Sequence, residues 1–202
     1  MFVHSSPVVL LKKRWKLLFI SGLILAISAG FFSLLLPLEY RADAQVYIIS
    51  KSRYGVDPYT VVKSAERVGE NLIQLTRTSD FYNKVMEQPG HDLDKSMFEN
   101  VSERTKRKRW QKTVQTSVVY GTGVLNISAY NEDPDMAKKY AGATADTLAA
   151  QGWQYVGGDV TIKVVNEPVV SRFPMRPNVL LNAILGFILG ILLSGVLIIK
   201  KN

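Results

Sequence analysis

Two long uncharged apolar runs, one near each end, constrain this chain more than any other feature. Residues 17–36 read LLFISGLILAISAGFFSLLL, and residues 179–199 read VLLNAILGFILGILLSGVLII, where Asn182 is the one strongly polar side chain. A helix of about 20 residues spans about 30 Å, the thickness of a bilayer's hydrocarbon layer. The runs therefore predict two transmembrane helices, 17–36 and 179–199. They bracket one domain over 37–178, long enough to bury its own core. Residues 1–16 and 200–202 form short flanks.

The charge distribution sets the expected orientation. The net charge is +8, but six of the 25 Lys and Arg residues lie in the flanks: Lys12, Lys13, Arg14, Lys16, Lys200 and Lys201. All 17 acidic residues lie between the runs. Basic flanks at both ends predict that both termini are cytoplasmic and that the domain is extracytoplasmic, as in a bacterial inner membrane. This explains the excess of basic residues without a nucleic-acid partner. A cleaved signal peptide is the alternative for the first run, since Ala42-Asp43-Ala44 resembles a cleavage site. The run is longer than a signal core, and cleavage there would cut the first strand, so an uncleaved anchor is expected. Small residues recur every four positions: Gly22, Ala26 and Gly30 in the first run, and Gly186, Gly190 and Ser194 in the second. Such faces allow helices to pack closely, although small residues are also common in spans generally.

Between the runs, Tyr40–Ile49 alternates as a strand. Asp57-Pro58 starts a helical stretch to Met86, either one helix or two broken near Thr78-Ser79-Asp80, with the serine or aspartate as cap. Residues 97–112 read as a short basic helix. Two alternating runs over 114–130 flank Gly121-Thr122-Gly123 as a hairpin. Asp133-Pro134 opens an alanine-rich helix to about Gln151. Residues 160–165 form a last strand, and Pro168, Pro174 and Pro177 lead on to the second span. The predicted class is α+β: a mainly antiparallel sheet packed with helices, ferredoxin-like, between two transmembrane helices.

Arg104, Lys106, Arg107, Lys108, Arg109 and Lys112, with Trp110 among them, form the most distinctive polar run. They suit an acidic glycan, a lipid-linked pyrophosphate or anionic headgroups, or else a solvated helix face paired with Glu99 and Glu103. No cysteine is present, which excludes disulfides, thiolate catalysis and cysteine-ligated zinc. His4 and His91 have no metal-ligand spacing. Gly121–Gly123 and Gly157-Gly158 read as turns. The carboxylates Asp92, Asp94, Glu132, Asp133 and Asp135 could act as acid and base, but turn and cap roles account for them. Asn100-Val101-Ser102 and Asn126-Ile127-Ser128 match a sequon short enough to arise by chance. Trp153 and Tyr155 suit a core or a subunit interface.

Four segments carry a family likeness: KKRWKLLFISGLILAISAGFFSLLLPLEYRADAQVYI, LNISAYNEDPDMAKKYAGATADTLA, VTIKVVNEPVVSRFPMRPNVLLNAILG with Pro174 and Pro177, and the glycine-rich second span. In this order the chain resembles the polysaccharide co-polymerases, the Wzz-type chain length determinant proteins. The resemblance implies a ring of identical membrane-anchored subunits without catalytic residues or cofactor. Such a ring acts with a Wzy-type polymerase on a lipid-linked or surface polysaccharide to set its length. Larger members carry a helical protrusion where this chain has a short segment between Met86 and Val114. Other members add a kinase domain, or activate a separate kinase through a C-terminal tail. With only Lys200-Lys201-Asn202 after the second span, neither is expected here. The expected function is a non-catalytic scaffold. A kinase-activating adaptor and a membrane-bound glycan- or lipid-acting enzyme are its rivals.

Overall fold

A computed structural model describes residues 7–50, 57–157 and 160–200. His4, Gly158, Lys201 and Asn202 lie outside the described residues. The elements are α1 (Pro7–Lys13), α2 (Trp15–Leu34), β1 (Tyr40–Ser50), α3 (Pro58–Leu75), α4 (Ser79–Met86), α5 (Glu103–Thr113), β2 (Val114–Val119), β3 (Val124–Asn131), α6 (Pro134–Gln151), α7 (Trp153–Val156), β4 (Val160–Val170) and α8 (Val179–Lys200). They fall into two units. The two chain ends form one, Met1–Leu38 with Met175–Asn202, and Glu39–Pro174 forms the other.

In the first unit α2 and α8 are long and apolar enough to cross a membrane. They lie antiparallel, because Ser21 meets Ser194 while Ser33 meets Asn182 further along. Glycine makes this contact possible. A Cβ on Gly190 would sit 2.6 Å from the Ser21 carbonyl oxygen, and one on Gly186 would sit 2.7 Å from that of Leu25. At Gly22 it would sit 2.9 Å from the Phe187 ring. The two backbones therefore touch, and larger residues at these positions would force them apart.

The second unit is α+β, built on a four-stranded antiparallel sheet in the order β2-β3-β1-β4. Alternation along β1 assigns its two faces. Ala42, Ala44, Val46 and Ile48 are buried beneath helices, while Arg41, Asp43, Gln45 and Tyr47 point the other way. Ala42 pairs with Ala129, and Ala44 pairs with Ile127. The small side chains admit α6, itself lined with buried Ala137, Ala141 and Ala145. Its buried Thr144 and Thr147 hydroxyls donate back to the Tyr140 and Ala143 carbonyls, each at 2.7 Å, so neither is left without a partner. The Ala42-Asp43-Ala44 site thus lies within the central strand.

Local chemistry accounts for most element ends. Asp57 caps α3 by accepting from the Thr60 amide, with Pro58 in the first turn. Asp133 does the same for α6 through the Asp135 amide. The helical stretch breaks into α3 and α4, and the cap of α4 is Thr78 rather than Ser79 or Asp80: its hydroxyl accepts from the Phe81 amide. Gly121 and Gly123 have positive φ at the β2–β3 turn, and the Gly121 amide donates to Glu66 on α3. Lys63, together with that bond, holds the Glu66 carboxyl below its usual range.

Two sequence expectations need correction. The last strand runs to Val170 rather than ending near Val165, so Pro168 lies within it. β4 is an edge strand, and its pairing with β1 shifts register between Asp43 and Val46, where a residue without an amide hydrogen is tolerated. The basic helix begins at Glu103, capped by Ser102, and not at Met97, because a 3₁₀ turn over Ser96–Phe98 precedes it.

Because the chain lacks cysteine, a Ser21→Cys/Ser194→Cys pair tests the helix contact directly. In membranes it is expected to form an intramolecular disulfide under mild oxidation. Adding Gly190→Leu is expected to reduce the yield to background, as read by gel mobility.

Candidate functional site

The basic run divides on the helix. Trp110 faces inward: it is 1% exposed, and its indole nitrogen donates to the Thr76 carbonyl at 2.7 Å. Its ring lies 5.3 Å from Tyr82 and 6.3 Å from Phe98, edge-on in both cases, and Phe98 in turn meets Tyr140. Trp110 therefore anchors α5 to the core. Lys106 pairs with Glu103 at 3.1 Å and lies over the Tyr82 ring. Arg109 donates to the Met97 carbonyl. Lys112 is exposed and has a partner of its own. The six-residue run thus leaves three exposed cations, Arg104, Arg107 and Lys108, without an ion pair among the described residues.

The small-residue faces of the two apolar helices are brought together, but not residue for residue. Gly22, Gly186 and Gly190 lie at the contact. Gly30 lies further out, its Cβ position 3.9 Å from Ala183. Ala26 is half-buried, and Ala29 takes the place at Gly186. Ser194 accepts from Ser21 at 2.8 Å, and Asn182 donates to Ser33 at 2.8 Å. Ser21, Ala29 and Ser33 were not singled out in the sequence. Their signal is a small or hydroxyl-bearing residue at helical spacing beside Gly22.

Pro174 and Pro177 fall in different units, either side of Met175. His91 sits 2.7 Å from Asp146, and no cluster of metal-binding side chains occurs among the described residues. Asp94 caps the turn at Ser96, and Asp133 caps α6, so these carboxylates serve the backbone. Ser102 of one sequon is the α5 cap, while Asn126 of the other lies on the sheet. Trp153 is half-exposed, and Tyr155 donates to Asp80, holding that carboxyl below its usual range.

One site was not singled out from the sequence: the face of the sheet opposite the helices. There Gln45 donates to Asn126 at 2.7 Å and accepts from Asn166, giving a side-chain ladder across β3, β1 and β4. Beside it, Ser128 donates to Asp43 at 2.6 Å, and Arg41 donates to the other oxygen of that carboxylate at 2.7 Å. Tyr130 in turn interacts with Arg41, and the hydrogen bond to Asp43 raises the pKa of the guanidinium. Arg41, Asp43, Gln45, Asn126, Ser128 and Asn166 line a groove of about 540 Å³. The signal was present in the sequence: alternate residues of YRADAQVYII and LNISAYN are polar and share one face.

No family model matches the chain, and no curated protein matches it.

Trp110→Ala is expected to destabilise the domain by about 3–5 kcal/mol through the lost packing. Alanine at Arg104, Arg107 or Lys108 is expected to change stability by no more than about 0.5 kcal/mol each. Thermal or denaturant unfolding of each variant checks both.

Proposed function

We propose that this chain is a non-catalytic, two-pass membrane scaffold that sets the length of a surface polysaccharide together with a Wzy-type polymerase, as a homo-oligomer. The observation that carries the reading is the bracket. One continuous α+β unit, Glu39–Pro174, is flanked in sequence by two apolar helices that pair antiparallel. An antiparallel pair suits a chain that leaves and re-enters a membrane on one side. The basic flanks, with Trp15 exposed beside them, favour cytoplasmic ends.

The domain's element order supports the likeness to chain length determinants. A strand, helices, a hairpin, a helix and a final strand, in sheet order β2-β3-β1-β4, fit a ferredoxin-like arrangement. Between α4 and β2 lie only a capped turn and α5, which fits a member without a long protrusion. In this reading the outer domains associate side by side, and the assembly limits how far the polymerase extends each glycan.

Deleting the gene is expected to shift the length distribution of the strain's surface glycan on a denaturing gel, with restoration by the wild-type copy. An unchanged ladder in a strain that makes the glycan would contradict the proposal.

A further inference from the structure

The open face of the sheet has the chemistry of a glycan platform. Its centre is a row of preset hydrogen-bonding groups. Gln45 bridges Asn126 and Asn166, and Asp43 is held between Ser128 and Arg41. Each side chain is oriented by a neighbour, so binding a ligand costs little further side-chain ordering. The ladder leaves the Asn126 amide nitrogen and the Asn166 carbonyl oxygen without a side-chain partner among the described residues. A sugar hydroxyl, both donor and acceptor, matches such a mixed array.

Tyrosines flank the row on the same face. Tyr130 stands opposite Arg41, and Tyr47 lies six residues along β1, 38% exposed. Their separation is about 20 Å along the strand, which suits an oligosaccharide rather than one sugar. A tyrosine offers a flat apolar face with a polar tip, the combination that a pyranose ring presents in return.

The same chemistry disfavours other occupants. Arg41 is neutralised by Asp43, and Lys163, exposed opposite Tyr47, stands at the end of the row with Glu167 also on the groove, so the row lacks the cluster of free cations that phosphate backbones or anionic headgroups require. Its centre is mostly amide, hydroxyl and carboxylate, with the exposed Val169 opposite Asp43, whereas the buried centre of a subunit contact is more apolar throughout.

We infer that the open face of the β2-β3-β1-β4 sheet, through Asp43, Gln45, Asn126, Ser128 and Asn166, binds a hydroxyl-rich stretch of a polysaccharide chain. This inference rests on the proposed scaffold function and adds the surface by which the polymer is held.

The test uses the full chain in lipid nanodiscs. The probe is oligosaccharide fragments released by mild acid from the surface polysaccharide of the strain that carries the gene. Ser117 is exposed on this face, opposite Asn126. A Ser117→Cys variant, the only cysteine in the chain, can be blocked with a bulky maleimide after folding. Unmodified, it is expected to bind the fragments; modified, at least tenfold more weakly. Gln45→Ala with Asn126→Ala is expected to weaken binding at least tenfold at an unchanged unfolding midpoint. The triple variant Arg104→Glu/Arg107→Glu/Lys108→Glu is expected to bind as wild type. The inference is overturned if the chain ignores the fragments, if blocking Ser117→Cys leaves affinity unchanged, or if the triple variant alone loses binding. It is also overturned if the blocked protein changes subunit number while its affinity is retained. If deletion shifts glycan length but the purified chain ignores the fragments, the sheet-face site fails and the scaffold stands. An unchanged ladder on deletion removes the scaffold, whatever the chain binds.

Discussion

The two-residue period of β1, paired on both edges, is the constraint on which the domain depends. β3 and β4 flank this strand, so a slip of one residue would turn Ala42, Ala44, Val46 and Ile48 outward and bury Arg41, Asp43 and Gln45. Burying those charges and amides without their present partners would be prohibitive. The register therefore fixes two faces at once. One is small and apolar, and it accepts the alanine-lined α6 and the glycine at position 69 of α3, where a Cβ would come within 2.8 Å of Val118. The other keeps its polar side chains aligned and hydrogen-bonded to one another.

The apolar helices are governed by a different balance. Both are long and apolar enough to cross a membrane, and in a bilayer apolar side chains would gain nothing by leaving lipid for one another, so a specific pairing there would come from close contact and polar partners. Glycines at 22, 186 and 190 allow the backbones to meet, and the Ser21–Ser194 and Asn182–Ser33 hydrogen bonds fix the register along them. Large residues such as Ile27, Phe32, Leu180 and Leu197 remain exposed on the outside of the pair.

Much of this could be read from sequence because local rules decided it. The caps at Asp57 and Asp133, the glycine turn at 121–123 and the alternation of β1 each follow from one residue type in one backbone geometry. What was not legible depended on tertiary context. Thr78 rather than Ser79 caps α4, because all three neighbouring side chains could cap and only packing chooses among them. Pro168 marks a strand end by local rules, yet β4 continues through it, because an edge strand with irregular pairing can omit one donor. Trp110 read as part of a basic surface, since helical spacing does not say which side of α5 meets the core. The polar row on the sheet required knowing that β3 and β4 both flank β1, and strand order is not a local property.

The proposed scaffold requires that the domain and the chain ends lie on opposite sides of a membrane. Single cysteines in this cysteine-free chain, at Ser117 in the domain and at Lys13 before α2, report on that directly. Labelling with a membrane-impermeant maleimide in cells whose cytoplasmic membrane is intact should modify the Ser117→Cys variant at once and the Lys13→Cys variant only after that membrane is permeabilised. Equal labelling of both variants from one side would contradict the two-pass arrangement, and with it the proposed role in handling an external glycan.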